Sequence, residues 1–223
     1  MTESSNDFLY AQSNLLKYFR ETIEPYLLGD LRRLKEIEPN LNGEQACAIP
    51  QLMLILSSMD HLGQLMSSLS RDSSGIGVFI KKYCKDLKPV AKILIKLFRH
   101  GVMHHFFPKV LGINKSVEYG VSLFIDDGNS YRSLDLSYLT NIFEKGVHQL
   151  LCDIESSIDK SIQNLVIRMD ENLRVLINSD EQESLEFIAL IEKHTQETTG
   201  LTFPPTPTPQ YPGTTTTQQP LNH

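Results

Sequence analysis

The stretch Leu139–Leu176, LTNIFEKGVHQLLCDIESSIDKSIQNLVIRMDENLRVL, decides the fold class because its apolar residues recur at a helical period. Eleven apolar positions take ten steps that average 3.7 residues, close to the α-helical repeat: Leu139, Phe143, Val147, Leu150, Ile154, Ile158, Ile162, Leu165, Met169, Leu173 and Leu176. The pattern predicts one long helix, or two nearly collinear ones, with a continuous apolar seam. The seam packs within a bundle or against another molecule, and packing within a bundle is the simpler interpretation.

The segments on either side of this stretch also favour helices. Residues 5–38 carry apolar side chains mostly three or four positions apart, with a kink expected near Pro25. Residues 50–70 are apolar on most sides, which indicates a central helix. A third helical region runs from about residue 76 to 107, interrupted at Pro89, and a short helix is expected near 180–195. The sequence therefore predicts an all-α helical bundle with a long C-terminal helix.

One segment changes its period from helical to alternating. Apolar residues occupy every second position before a turn-forming Asp-Asp-Gly-Asn sequence, and a second short alternating run follows that turn. The alternating positions are Val117, Tyr119, Val121, Leu123 and Ile125. This arrangement predicts a β-hairpin inserted into the bundle at about residues 116–136.

Composition separates the C-terminal end from the rest. Residues 201–223 contain six prolines, seven threonines and no Asp, Glu, Lys or Arg. Such a segment buries too little apolar surface to fold by itself. We expect one helical domain over residues 1–198 and a disordered tail over 199–223. The tail is either a solubilising segment or a ligand for a proline-recognising domain.

Charge, hydropathy and cysteine content exclude several classes of protein. The net charge of −6 argues against a protein that coats nucleic acid by charge alone. The longest apolar run, Leu52–Leu56, has five residues, far fewer than the ~20 of a membrane helix. No signal peptide is recognisable, and the three cysteines form no CxxC pair, so neither a disulfide framework nor a cysteine-based zinc site is indicated. We expect a soluble cytoplasmic protein with no cofactor and no membrane partner.

Positive charge is concentrated in one segment. Residues 80–115 contain nine basic residues and one acid, a net charge of +8, while the rest of the chain carries −14. Six of the basic residues are three or four positions apart: Lys81, Lys85, Lys88, Lys92, Lys96 and Arg99. If the helix continues past Pro89, they form one stripe. The stripe is either a solvated helix face or a track for phosphates, for which Lys88, Lys92 and Lys96 are the candidate contacts.

The stripe leads into the sequence Arg99-His100-Gly-Val-Met-His104, for which three functional interpretations compete. His100 and His104 are spaced like zinc ligands on a helix, but the intervening residues lack a glutamate and no third ligand is evident. Arg-His-Gly also occurs in histidine phosphatases, where it follows a β-strand of an α/β domain. The surrounding sequence has no such pattern. Ordinary structural roles for these side chains remain an alternative to any site.

In an all-α chain, an arginine followed by a polar residue and then by a histidine, Arg99-His100-x-x-x-His104, resembles the signature of the HEPN superfamily. The resemblance implies a helical bundle that dimerises and brings two copies of the motif to a shared cleft. In catalytic members that cleft cuts RNA without metal. It further implies that Arg99 holds the scissile phosphate, that His104 exchanges protons with the reacting oxygens, and that His100 supports them.

The leading functional hypothesis is therefore a metal-independent endoribonuclease of HEPN type, in a toxin–antitoxin or antiviral setting that the resemblance alone implies. Its partners would be a second copy of the chain, RNA, and an antitoxin or regulatory protein. The alternative is a non-catalytic helical dimer that binds a nucleotide, RNA or protein through the same basic groove. A third class is an assembly protein built on the 139–176 seam.

Overall fold

The computed structural model describes residues 3–37, 48–67, 74–96, 112–114, 124–126, 132–156 and 159–199. Seven α-helices, one π-helix, one 3₁₀-helix and three short strands lie in these ranges. The described chain is mainly helical, which confirms the all-α prediction at that level. In chain order the helices are α1 (Glu3–Tyr18), the π-helix Phe19–Leu28, α2 (Gly29–Glu36), α3 (Ala48–Met66), α4 (Gly75–Tyr83), the 3₁₀-helix Lys85–Val90, α5 (Ala91–Lys96), α6 (Leu136–Ser156) and α7 (Lys160–Thr199).

The N-terminal helices follow one another without a break, and Pro25 lies inside the π-helix. Proline has no N–H to donate and its ring crowds the preceding turn, so a wider helical turn accommodates it. The kink expected near Pro25 is thus a π-helical segment within helical chain. The predicted apolar face is buried at Leu15, Phe19, Ile23 and Leu31.

Helix α3 lies at the centre of the core, as its apolar sequence predicted. Leu52, Ile55, Leu56 and Leu62 are fully buried. Its closest neighbour is α4, and the two backbones approach at Gly63 and Gly75. A Cβ atom on Gly63 would lie 1.8 Å from the Gly75 carbonyl oxygen, and one on Gly75 would lie 2.0 Å from the Asp60 carbonyl oxygen. Only glycine permits this approach.

The predicted seam belongs to two helices, α6 and α7. Its members from Leu139 to Ile154 on α6 are buried, as are Leu165, Met169 and Leu173 on α7. The seam therefore packs inside the protein, which confirms the simpler interpretation. The prediction of a separate helix near 180–195 was wrong, because α7 runs without interruption from Lys160 to Thr199. Residues 177–182, Ile-Asn-Ser-Asp-Glu-Gln, contain no glycine or proline that would end it.

Buried amides tie the ends of helices to neighbouring helices. The Asn172 side chain on α7 donates to the carbonyl oxygens of Leu65 at 2.8 Å and Ser67 at 2.7 Å, where α3 ends. Gln12 on α1 donates to the carbonyl oxygen of Ile154 at 2.7 Å near the end of α6. The last carbonyls of a helix lack intrahelical partners, so each amide satisfies groups that would otherwise be stranded.

The strands form a small sheet of order β1-β3-β2, with β1 at Gly112–Asn114, β2 at Phe124–Asp126 and β3 at Arg132–Asp135. Strands β2 and β3 are antiparallel, with Ile125 opposite Ser133, and both lie within the range predicted as a hairpin. The remainder of that range, residues 116–123 and 127–131, lies outside the described residues. The sequence did not predict β1, which pairs parallel to β3.

The chain divides into two units, Met1–Leu176 and Ile177–His223, and α7 contributes to both. The described part of the second unit is residues 177–199 of that helix. The predicted tail beyond Thr199 lies outside the described residues. Within the described ranges, no helix combines the length and apolar character needed to span a membrane.

Candidate functional site

The three residues of the sequence motif, Arg99, His100 and His104, lie outside the described residues, so their roles stay predictions. The three predicted phosphate contacts, Lys88, Lys92 and Lys96, are described, and all three are exposed. Lys88 lies in the 3₁₀-helix, and the other two lie on α5.

The basic residues do not form a stripe on one continuous α-helix. Helix α4 ends at Tyr83, and Cys84 leaves the helical region with φ −122° and ψ 55°. The next six residues form a 3₁₀-helix that contains Pro89, and α5 begins only at Ala91. The condition for a single stripe, a helix that continues past Pro89, is therefore not met. The change of helix type comes five residues before the proline, and the buried Leu87 anchors the segment between them.

The first part of the basic segment instead lines a groove in the first unit. The groove has a volume of about 1060 Å³ and lies between α4, α6 and the first turns of α7. Five cationic side chains line it, from four elements that are distant in sequence: Lys81, Lys82, Lys85, Lys145 and Arg168. We refer to these five residues and the space between them as the basic groove.

Two acids also line the groove, and one is occupied by neutral donors. Asp153 accepts a hydrogen bond from the Tyr83 hydroxyl at 3.0 Å and another from the Gln149 amide at 2.9 Å. Asp86 is exposed. None of the five cations forms an ion pair with any residue in the described ranges. The groove therefore has a clear excess of positive charge, and its ammonium and guanidinium groups are available to an anion.

Lys82 is the half-buried cation of the five. Burial lowers its pKa, and this effect is opposed by Asp153 and Asp159 and reinforced by the positive charge of Arg168. Its ammonium nitrogen lies 5.4 Å from the centre of the Tyr83 ring. The mutual influence of Lys82 and Arg168 indicates that two positive charges from α4 and α7 act on one region of the groove. An anion placed there would relieve that repulsion.

Tyr83 and Cys84 form part of the wall but do not act as nucleophiles. Burial and the neighbouring carboxylate of Asp153 raise the pKa of Tyr83 far above its usual value. Burial raises the pKa of the Cys84 thiol to about 12, and the charge of Asp86 adds to the increase. The Cys84 sulfur donates to the Ile142 carbonyl oxygen at 3.6 Å. A thiol with so high a pKa stays protonated at neutral pH, which makes it a packing residue.

Apolar side chains form the floor of the groove. Met66, Ile142 and Leu165 are buried at its base. A Cβ atom on Gly146 would lie 2.7 Å from the Cys84 sulfur, so α6 can approach α4 closely at this point only because residue 146 is glycine. The floor is thus held rigidly by helix packing, and the cations surround it.

Sequence reasoning found half of this site. The concentration of charge in residues 80–115 indicated Lys81, Lys82 and Lys85, but nothing near Lys145 or Arg168 marked them. Each is a single exposed basic residue beside a buried seam position, Phe143 in one case and Met169 in the other. Only the packing of α6 and α7 against α4 brings them to the same groove.

No group of three or more His, Cys, Asp or Glu side chains in the described ranges is arranged to hold a metal ion. The comparisons with known proteins give no family for the chain: no family model, no curated protein and no solved structure matches it.

Proposed function

We propose that the protein binds RNA through the basic groove. The observation that carries this proposal is the convergence of five cations, from four separate elements, on a groove in which none of them has an acidic partner among the described residues. Lysine and arginine side chains in such an arrangement bind phosphates, and an acidic protein can bind a nucleic acid through one positively charged face.

The exposed lysines that follow the groove along the chain extend this surface. Lys88, Lys92 and Lys96 come directly after Lys85, and Lys96 is three residues before Arg99. An RNA strand bound in the basic groove would therefore contact a segment that leads, in chain order, to the predicted motif. A single strand fits the proposal better than a duplex, since the groove is about 1060 Å³ in volume and has an apolar floor for bases.

We also propose that the bound RNA is cut at Arg99 and His104 with support from His100, as the HEPN resemblance implies. This second step rests on the sequence motif. Arginine supplies a fixed charge and a planar fork of donors for the scissile phosphate, and histidine exchanges protons near neutral pH. On a helix, residues 99 and 104 lie about 140° apart, so a second copy of the chain would complete the cleft. An antitoxin or regulatory protein would then control the activity.

The binding step is tested by fluorescence anisotropy with a labelled single-stranded RNA of mixed sequence. Replacing Lys145→Gln and Arg168→Gln together should weaken binding about tenfold or more at low salt, because two phosphate contacts are lost. The matched control is Lys17→Gln with Arg20→Gln, which removes two exposed charges from outside the groove and should leave the affinity unchanged. Equal losses in the two double variants would reject the basic groove as the binding site.

The cleavage step is tested separately, on end-labelled RNA in EDTA. The wild type should leave 2′,3′-cyclic phosphate ends, while Arg99→Ala and His104→Ala should bind RNA but not cut it. Cleavage that persists in His104→Ala would reject the catalytic proposal and leave the binding proposal intact. Binding without cleavage by the wild type, with and without added candidate regulators, would favour the non-catalytic alternative.

A further inference from the structure

The part of α7 beyond Leu176 carries an exposed apolar patch. Phe187 and Leu190 are each 64% exposed, Ile191 is 49% exposed and Leu185 is 41% exposed. Phe187, Leu190 and Ile191 are spaced i, i+3 and i+4, so they lie on the same face of the helix. Single exposed apolar residues are ordinary, but a contiguous cluster of large ones marks an interaction surface. We refer to these four residues as the apolar patch.

Acidic residues surround this patch unevenly. Residues 177–199 contain six acids and one lysine, a net charge of −5. Four of the acids precede Phe187, at positions 180, 181, 183 and 186. The following residues, 187–199, carry only Glu192, Lys193 and Glu197, a net charge of −1. The helix therefore has a strongly acidic first half and a nearly neutral second half.

This charge distribution selects both the occupant and its orientation. An anionic ligand or an anionic membrane would be repelled. In a parallel pair of such helices, the four acids of one copy would face the same four acids of the other. In an antiparallel pair centred on Ala189, the acidic half faces the nearly neutral half, with Asp180 opposite Thr198 and Phe187 opposite Ile191. Antiparallel alignment also opposes the two helix dipoles favourably.

We propose that two copies of the chain associate through the apolar patch, with residues 177–199 paired antiparallel. Such a contact is isologous, because the same patch is used by both copies and the association closes as a dimer. The interface is small, four apolar side chains from each copy, and both copies carry a net negative charge. The dimer should therefore be weak and concentration dependent, and it should strengthen when salt screens the repulsion.

The test is sedimentation velocity of the full chain from about 1 to 100 μM, at 50 and 500 mM NaCl. Wild type should shift from monomer towards dimer as concentration rises, and the shift should need less protein at high salt. Phe187→Glu with Leu190→Glu should abolish the shift. The matched control, Leu9→Glu with Val175→Glu, introduces the same charges at exposed apolar positions of the first unit and should dimerise like wild type. A monomeric wild type, or a dimer unaffected by the first double variant, would overturn the proposal.

Orientation is tested by disulfide crosslinking in a chain whose Cys47 and Cys152 are replaced by serine. Positions 184 and 194 are equidistant from Ala189 and lie near the patch face. A mixture of Ser184→Cys and His194→Cys proteins should form a crosslinked heterodimer much faster than either protein crosslinks with itself. Faster self-crosslinking of each variant would indicate a parallel pair and overturn the antiparallel assignment.

Discussion

The basic groove and the acidic end of α7 differ in charge and in the way the chain builds them. Four elements distant in sequence supply the cations of the groove, whereas the acids and the apolar patch of residues 177–199 come from one continuous stretch of helix. The groove has a shaped interior above an apolar floor, and the patch is an exposed face. The difference suggests that the groove recognises a ligand by shape and charge together, while the helix end is suited to a simple side-by-side contact.

Reversing the charge of the groove should have the largest effect on this contrast. Lys145→Glu with Arg168→Glu changes four units of charge beside the bound phosphates, so RNA affinity at 50 mM salt should fall roughly 1,000-fold. Dimerisation through the apolar patch should be unchanged. Anisotropy titration measures the first quantity and sedimentation velocity the second. If the two quantities fall together, the groove and the patch do not act independently.

The α3–α4 contact offers a way to damage the groove through packing. In Gly63→Ala the new methyl group would meet the backbone of Gly75, so the helices must separate, at a cost of about 2–4 kcal/mol in the free energy of unfolding. RNA affinity should also fall, since α4 carries Lys81 and Lys82. Urea unfolding followed by circular dichroism measures the stability change.

The control for that substitution is Gly77→Ala on α4. A Cβ atom at Gly77 would meet only the end of the Ile95 side chain, at an ordinary distance of 3.5 Å. Its effect should lie within about 1 kcal/mol of zero, because alanine also favours the helix. A similar loss in both variants would show that helix propensity or the local backbone, and not the contact with Gly75, determines the result.

Salt should act in opposite directions on the two regions. An RNA contact made through about three phosphates should weaken roughly 100-fold between 50 and 500 mM salt, since single-strand affinity falls with a slope near −0.7 per phosphate. The dimer should strengthen over the same range. Parallel titrations at four salt concentrations measure both slopes. Slopes of the same sign would contradict one of the two assignments.

The smallest effect is expected from Asp153→Asn. Removing this carboxylate charge from the groove should tighten RNA binding about threefold. The pKa of Tyr83 should move down towards its usual value, because Asp153 contributes to raising it, although burial would still hold it high. The chain has no tryptophan, so ultraviolet absorbance reports its tyrosines directly and the difference between variant and wild type isolates this shift. Unchanged titration would mean that burial alone raises the pKa of Tyr83.

The sequence predicted what periodicity can encode. The buried seam of α6 and α7, the central position of α3 and the exposed lysines of residues 81–96 follow from spacing and charge. Periodicity could not show that Pro89 is preceded by a 3₁₀-helix, since the departure at Cys84 depends on how Leu87 packs. Nor could it reveal that α7 passes through residues 177–182 without a break. The candidate site was half visible, because Lys145 and Arg168 become neighbours of Lys82 only through tertiary packing.

The approach of Gly63 to Gly75 also has a consequence for inheritance. Each position is constrained by the backbone opposite, so a mutation at either one meets a penalty that no change at the other can relieve. Drift through alanine or serine is closed at both positions, whereas the surface lysines can exchange with arginine freely. In any set of homologous chains, these two glycines should be the last residues of α3 and α4 to vary, ahead of every charged residue in the groove.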